Sequence, residues 1–170
     1  MKKYIVIING SGGTGKDQFC ALCASYVKCK VVSTVDKVKE AYSLLGWNGD
    51  KSEQHRKALS DIKDIGTKNL DHPFTYISKI VEKFRTKDDQ ILFIHSREPE
   101  EIARFVKEFD CITLLIINPN IENIKSNHAD ANVFDYKYDY KIYNDGSVED
   151  LKLKAKQFIE RLFNEVCNKR

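Results

Sequence analysis

Apolar residues fall into two patterns along this chain. Short, nearly unbroken apolar runs occupy residues 4–8, 31–35, 91–95 and 111–117, with a shorter one at 140–143. Runs of that length predict strands, and their lack of polar alternation suits a parallel sheet covered on both faces. Between them the spacing changes to that of helices. One helix is predicted from about 16 to 27. A second carries Val38, Ala41, Tyr42 and Leu45 and stops at Gly46, and a third carries Ala58, Leu59, Ile62 and Ile65. Pro73 suits the first position of a fourth, with Phe74, Ile77, Ile80, Val81 and Phe84 on one face. Ile102, Phe105, Val106 and Phe109 mark a fifth. The last opens on Ser147-x-x-Asp150, a capping box, and its stripe is Leu151, Ala155, Phe158, Ile159, Leu162, Phe163 and Val166.

Strands alternating with helices predict an α/β fold: three layers, with a five-stranded, mostly parallel sheet and helices on both faces. One domain over residues 1–170 is expected, with a helical insert at about 47–88. Residues 118–135 are polar and irregular and read as a mobile, lid-like loop. In such a sheet ligands sit at the carboxyl ends of the strands.

The first strand end carries the strongest chemical signal. Gly10-Ser11-Gly12-Gly13-Thr14-Gly15-Lys16 has the spacing of a phosphate-binding P-loop, the Walker A pattern G-x-x-x-x-G-K, between a strand and a helix. Its glycines allow close backbone approach, successive N–H groups make an anion nest, and the helix adds its positive end. Lys16 reaches the outer phosphates of a nucleotide. The next residue is Asp17, where a Ser or Thr hydroxyl would ligate Mg²⁺. Two readings stand open: Asp17 supports the metal, or it caps the helix.

The other strand ends offer Asp36, which either supports Mg²⁺ or orients an attacking oxygen, or else caps the next helix. They also offer His95-Ser96-Arg97-Glu98. His95 stands where a Walker-B Asp is often found and suits no Mg²⁺ role. Ser96 reads as a cap. Arg97 either grips phosphate or pairs with Glu98, Glu100 or Glu101. Arg56, Lys57, Lys63 and Lys68 of the insert read mostly as a solvated face, with one of them available to an acceptor's anionic group. His128 reads as an ordinary exposed residue or as part of a closing loop. Asn144-Asp145-Gly146 is a plain turn or a wall beside a nucleotide base.

Bulk properties narrow the classes. The 28 basic and 25 acidic residues leave a net charge of +3, too weak a basic balance for a nucleic-acid or anionic-membrane surface. The apolar run after Met1-Lys2-Lys3 ends at Ile8, too short for a signal-peptide core, and no run approaches membrane-spanning length. The five cysteines form no disulfide framework. Cys20-x-x-Cys23 falls inside a predicted helix without a second pair, so it reads as packing rather than zinc. A reducing cytoplasm is expected.

Gly15-Lys16-Asp17, the Asp36-Lys37-Val38-Lys39-Glu40 segment, Gly66-Thr67, Arg97 with the acidic residues behind it, His128 and Asn144-Asp145-Gly146 occur in one order over almost the whole chain. In this the sequence resembles the phage-type deoxynucleoside monophosphate kinases and, in its Gly-Lys-Asp loop, the related animal-type phosphomevalonate kinases. It also looks similar to kinase-like P-loop proteins of Gram-positive bacteria. The resemblance implies ATP with Mg²⁺ as donor and a small phosphorylated acceptor, most readily a (deoxy)nucleoside monophosphate. Lys16, Arg97 and Asp36 would be the catalytic residues, Gly10–Asp17 with Asn144 and Gly146 the nucleotide contacts, and Asp17 and Asp36 the metal support. The alternative is a nucleotide-binding regulatory protein without efficient transfer; a homodimer is left open. Three departures mark this chain. The third strand lacks the family's Asp, the histidine loop reads Ala129-Asp130 where the family has Ser-Glu, and no arginine lies between Arg104 and Arg161.

Overall fold

Five strands make one sheet: β1 (Tyr4–Asn9), β2 (Cys29–Ser33), β3 (Ile91–His95), β4 (Ile112–Ile117) and β5 (Tyr140–Tyr143). The computed structural model describes residues 2–121 and 133–165. Strand order is β2-β3-β1-β4-β5 and every neighbouring pair is parallel, so the predicted "mostly parallel" sheet is parallel throughout these residues. β1 is central and all six of its residues are buried.

Helices cover both faces. They are α1 (Lys16–Ala24), α2 (Asp36–Leu44), α3 (Glu53–Leu70), α4 (His72–Thr86), α5 (Pro99–Phe109) and α6 (Val148–Glu165). The alternation of side chains along a strand divides β1 between two cores. Tyr4, Val6 and Ile8 pack with Phe19 and Cys23 of α1 and with Leu151, Phe158 and Leu162 of α6. Ile5 and Ile7 pack with Ile77, Val81 and Phe84 of α4 and with Ile102 and Phe105 of α5. An unbroken apolar run is thus what a strand with a helix layer on each side requires.

Several boundaries differ from the sequence reading, each for a local reason. β2 ends at Ser33 rather than residue 35, because the Asp36 carboxylate accepts the Ser33 N–H (2.8 Å) and turns the chain there. α1 stops at Ala24, where the Ser25 hydroxyl donates to the Leu22 carbonyl. α3 and α4 are separated by Asp71 alone, which takes the left-handed conformation at φ 49°. The stripe predicted on α3 enters no core: α3 has no buried residue, and Ile65 and Leu70 are exposed. The capping box of α6 forms in full. Ser147 N–H donates to Asp150 (2.8 Å), and Asp150 N–H donates to the Ser147 hydroxyl (3.1 Å).

Ile8 and Ser33 both pair with His95, so β1, β2 and β3 end nearly level; Asn9 pairs with Leu115 and Ile117 with Tyr143, so β4 and β5 run two residues farther. All five strands being parallel, the segments that follow them leave at the same end of the sheet. Val166, Cys167 and most of the predicted loop, including His128, lie outside the described residues. At the loop's far end Val133 is buried in the α4–α5 core.

Candidate functional site

The loop after β1 is held both by its neighbours and by its own side chains. Gly10 leaves the strand at φ 148°, and a Cβ there would come within 2.4 Å of the Ile116 carbonyl of β4. Asn9, fully buried, anchors it. Its Oδ1 accepts the Gly10 N–H (2.7 Å), and its Nδ2 donates to the Tyr138 hydroxyl (2.6 Å) and more weakly to the Arg97 carbonyl (3.3 Å). Thr14, also buried, donates its hydroxyl to the Ser11 carbonyl (3.0 Å). Gly13 has φ 79°, and Gly15, the N-cap of α1, has φ 92°; both are left-handed positions open to glycine at little cost. Since Gly15 has no side chain, it caps none of the unpaired N–H groups that open α1.

Lys16 folds back across this loop. Its ammonium donates to the carbonyls of Gly10 and Ser11, both at 2.7 Å. Asn144, at the end of β5, closes the other side. Its backbone N–H donates to Ile117 (2.7 Å) and its side-chain amide to the Thr14 carbonyl (3.0 Å). Asn144 thus braces the loop from β5. Gly146 has a separate reason to be glycine: a Cβ would meet the Asp150 carboxylate at 2.5 Å, where that carboxylate caps α6.

Asp17 does not cap α1. Its side chain is 97% exposed and its carboxylate lies 3.6 Å from His95 Nε2. Asp36 is not an N-cap either. It is the first residue of α2, and it reaches back to Ser33 rather than forward. Ser96 is likewise no cap. It is buried and donates to Glu101, which also pairs with Lys63 of α3 (3.3 Å). That chain ties the insert to the segment carrying Arg97, which is half-buried. Among the other insert cations, Lys57 pairs with Asp61 on the solvated face, and Lys68 is exposed.

His95 sits at the centre of these groups. Burial pushes its pKa down to about 4, and the charges that bear on it are Asp17 and Asp36, which raise it, and Lys16 and Arg97, which lower it. Charged residues from three separate stretches of sequence thus act on one imidazole, and Asp17 meets it directly. On the inner side the Cys20 thiol lies 3.9 Å from the same Nε2. Burial holds the Cys20 and Cys23 thiols well above their ordinary range, which fits packing rather than reactivity. Among the described residues, no group of three or more His, Cys, Asp or Glu is placed to hold a metal unaided, and no helix is long and apolar enough to cross a membrane.

Sequence reasoning passed over Asn9 and Tyr138 and gave His95 no role. Asn9 carried a signal, a polar residue closing an apolar strand just before the glycines. Tyr138 carried none, because only the return of the chain alongside β4 brings it to Asn9.

No family model and no curated protein matches the chain. Solved structures do. TT1252 from Thermus thermophilus aligns with 95% of this chain and 99% of its own at 15% identity, with a TM-score of 0.55. Dephospho-CoA kinase from Campylobacter jejuni aligns with 94% of this chain and 97% of its own at 15% identity and 0.53. A sugar kinase from Janibacter sp. HTCC2649 aligns with 94% and 95% at 11% identity and 0.53. At these identities the likeness is one of fold: a five-stranded parallel sheet with helices on both sides, as in P-loop kinases.

Proposed function

We propose that this chain is an ATP-dependent phosphotransferase that moves the γ-phosphate to a small phosphorylated acceptor, a (deoxy)nucleoside monophosphate first among them. The observation that carries the reading is Lys16 lying across a glycine loop locked between Ile116 and Asn144, with the Asp17 carboxylate beside His95 at the next strand end.

The loop N–H groups and the start of α1 would take the β-phosphate, and Lys16 would exchange its two carbonyl bonds for phosphate oxygens. Arg97 would grip the acceptor's phosphate or the group in flight, since guanidinium binds such oxygens in pairs. Asp36, at the end of β2, would orient the attacking oxygen. The work is positioning and charge neutralisation. Asp17 and Asp36 supply carboxylate oxygens suited to Mg²⁺, whose remaining ligands in such sites are phosphate and water. Bound with the nucleotide, the ion supplies neutralising charge. A cytoplasmic setting, with neither nucleic acid nor membrane as partner, fits the weak net charge.

The imidazole of His95, in place of a carboxylate at the end of β3, favours one second reading, a nucleotide-binding protein without efficient transfer. Coupled ADP release with a panel of nucleoside and non-nucleoside monophosphates separates the two. Stimulation by one acceptor supports transfer. ATP binding by calorimetry without stimulation supports the second reading, and no ATP affinity removes both.

A further inference from the structure

The donors at this site are not all of one kind. Asp17 offers a hard oxygen, but the group beside it is an imidazole. His95 Nε2 lies 3.6 Å from the Asp17 carboxylate oxygen, and the Asp17 side chain is otherwise open to solvent. Two donors on one first-row dication, each at about 2.1 Å, stand roughly 3.0–3.4 Å apart in octahedral or tetrahedral geometry. A small rotation of the exposed Asp17 side chain would bring the pair into that range. His95 itself has little freedom: it ends a central strand and its side chain is only 15% exposed.

We propose that His95 Nε2 and the Asp17 carboxylate together ligate the divalent cation that accompanies the nucleotide, and that the site therefore favours Mn²⁺ or Co²⁺ over Mg²⁺. Magnesium takes oxygen ligands and accepts imidazole poorly; imidazole suits the later first-row ions, whose affinities rise along the series from Mn²⁺. Two protein donors do not make a closed site, and among the described residues no third His, Cys, Asp or Glu completes one. The phosphates of the nucleotide complete the shell, so the inference rests on the nucleotide-binding part of the function proposed above. Cys20, 3.9 Å from Nε2 on the buried side, is a thiol kept protonated by its surroundings and stays outside the shell.

The test reads the metal rather than turnover. ADP affinity is measured by calorimetry with EDTA, Mg²⁺, Mn²⁺ and Co²⁺ in the native protein, His95→Gln and His95→Asp. The Mn²⁺·ADP complex is examined by electron spin-echo spectroscopy for coupling to an imidazole nitrogen. The native protein is expected to show that ¹⁴N coupling and to bind ADP about tenfold more tightly with Mn²⁺ than with Mg²⁺. H95Q loses both, and H95D reverses the preference toward Mg²⁺ without the coupling. ADP binding that is equal with Mg²⁺ and Mn²⁺, or a Mn²⁺·ADP complex without nitrogen coupling, overturns the inference and leaves the nucleotide site standing. ADP binding in EDTA that no ion improves also overturns it alone. Absence of ADP binding under every condition overturns both.

Discussion

The side-chain amide of Asn144 donates to the Thr14 carbonyl at 3.0 Å, and a Cβ on Gly15 would come within 2.4 Å of that same nitrogen. The residue that ends the last strand therefore sets the space around the residue that opens the first helix. Gly15 is held at φ 92° as well, so two independent constraints meet at one position.

Gly15→Ala adds a left-handed alanine, costing roughly 1–2 kcal/mol, and drives Asn144 off Thr14. Chemical denaturation is expected to show a loss of at least that size, and calorimetry a parallel loss of nucleotide affinity. A double variant with Asn144→Ala recovers part of the stability, because the clash is gone while the backbone strain remains. Full additivity of the two changes would mean that the residues do not meet.

Asn9→Leu removes the acceptor of the buried Gly10 N–H and a partner of Tyr138. An unsatisfied buried donor costs about 1–3 kcal/mol, and the denaturation midpoint should fall accordingly. Tyr138→Phe should cost less: the Gly10 N–H keeps its acceptor, Asn9 Nδ2 loses the hydroxyl but keeps the Arg97 carbonyl, and the Val133 carbonyl loses one donor. A Tyr138→Phe variant weaker than Asn9→Leu would reverse this ranking.

Lys16→Met separates binding from folding. The two bonds that Lys16 makes to its loop are partly solvated, so stability should change by less than about 1 kcal/mol. A charged hydrogen bond to phosphate contributes about 1.5–3 kcal/mol, so ADP affinity should fall roughly 10- to 150-fold. Thermal melts with and without ADP read both quantities on one sample.

His95 gives a pH dependence with a definite sign. Its pKa, ordinarily 6.5, is pushed down to about 4, chiefly by burial, so the unfolded chain takes up the proton first as pH falls. The stability tied to the neutral ring is whole above pH 6.5 and is lost as pH falls toward 4. It amounts to at most about 3 kcal/mol. Urea midpoints measured from pH 7 to pH 4 should fall less steeply for His95→Gln than for the native protein. Equal slopes would show that the imidazole is not desolvated in the folded state.

The pattern of residues along the chain sufficed for the order of elements, the parallel sheet and the place of the glycine-lysine loop between β1 and α1. Each of these is a local consequence: an apolar run must be covered, a capping box closes within four residues, and a glycine-lysine loop between strand and helix presents N–H groups whatever lies elsewhere. The roles of Asp17, Asp36 and Ser96 were not legible in that way. A carboxylate or hydroxyl near a helix start looks like a cap in sequence, and only folding showed that these three turn instead toward His95, Ser33 and Glu101. The approach of Asp17 to His95, and the reach of Asn144 and Tyr138 back to the first strand end, were also decided by tertiary structure alone. Contacts across 80 to 130 residues depend on strand order and register, which place distant strand ends at the same end of the sheet.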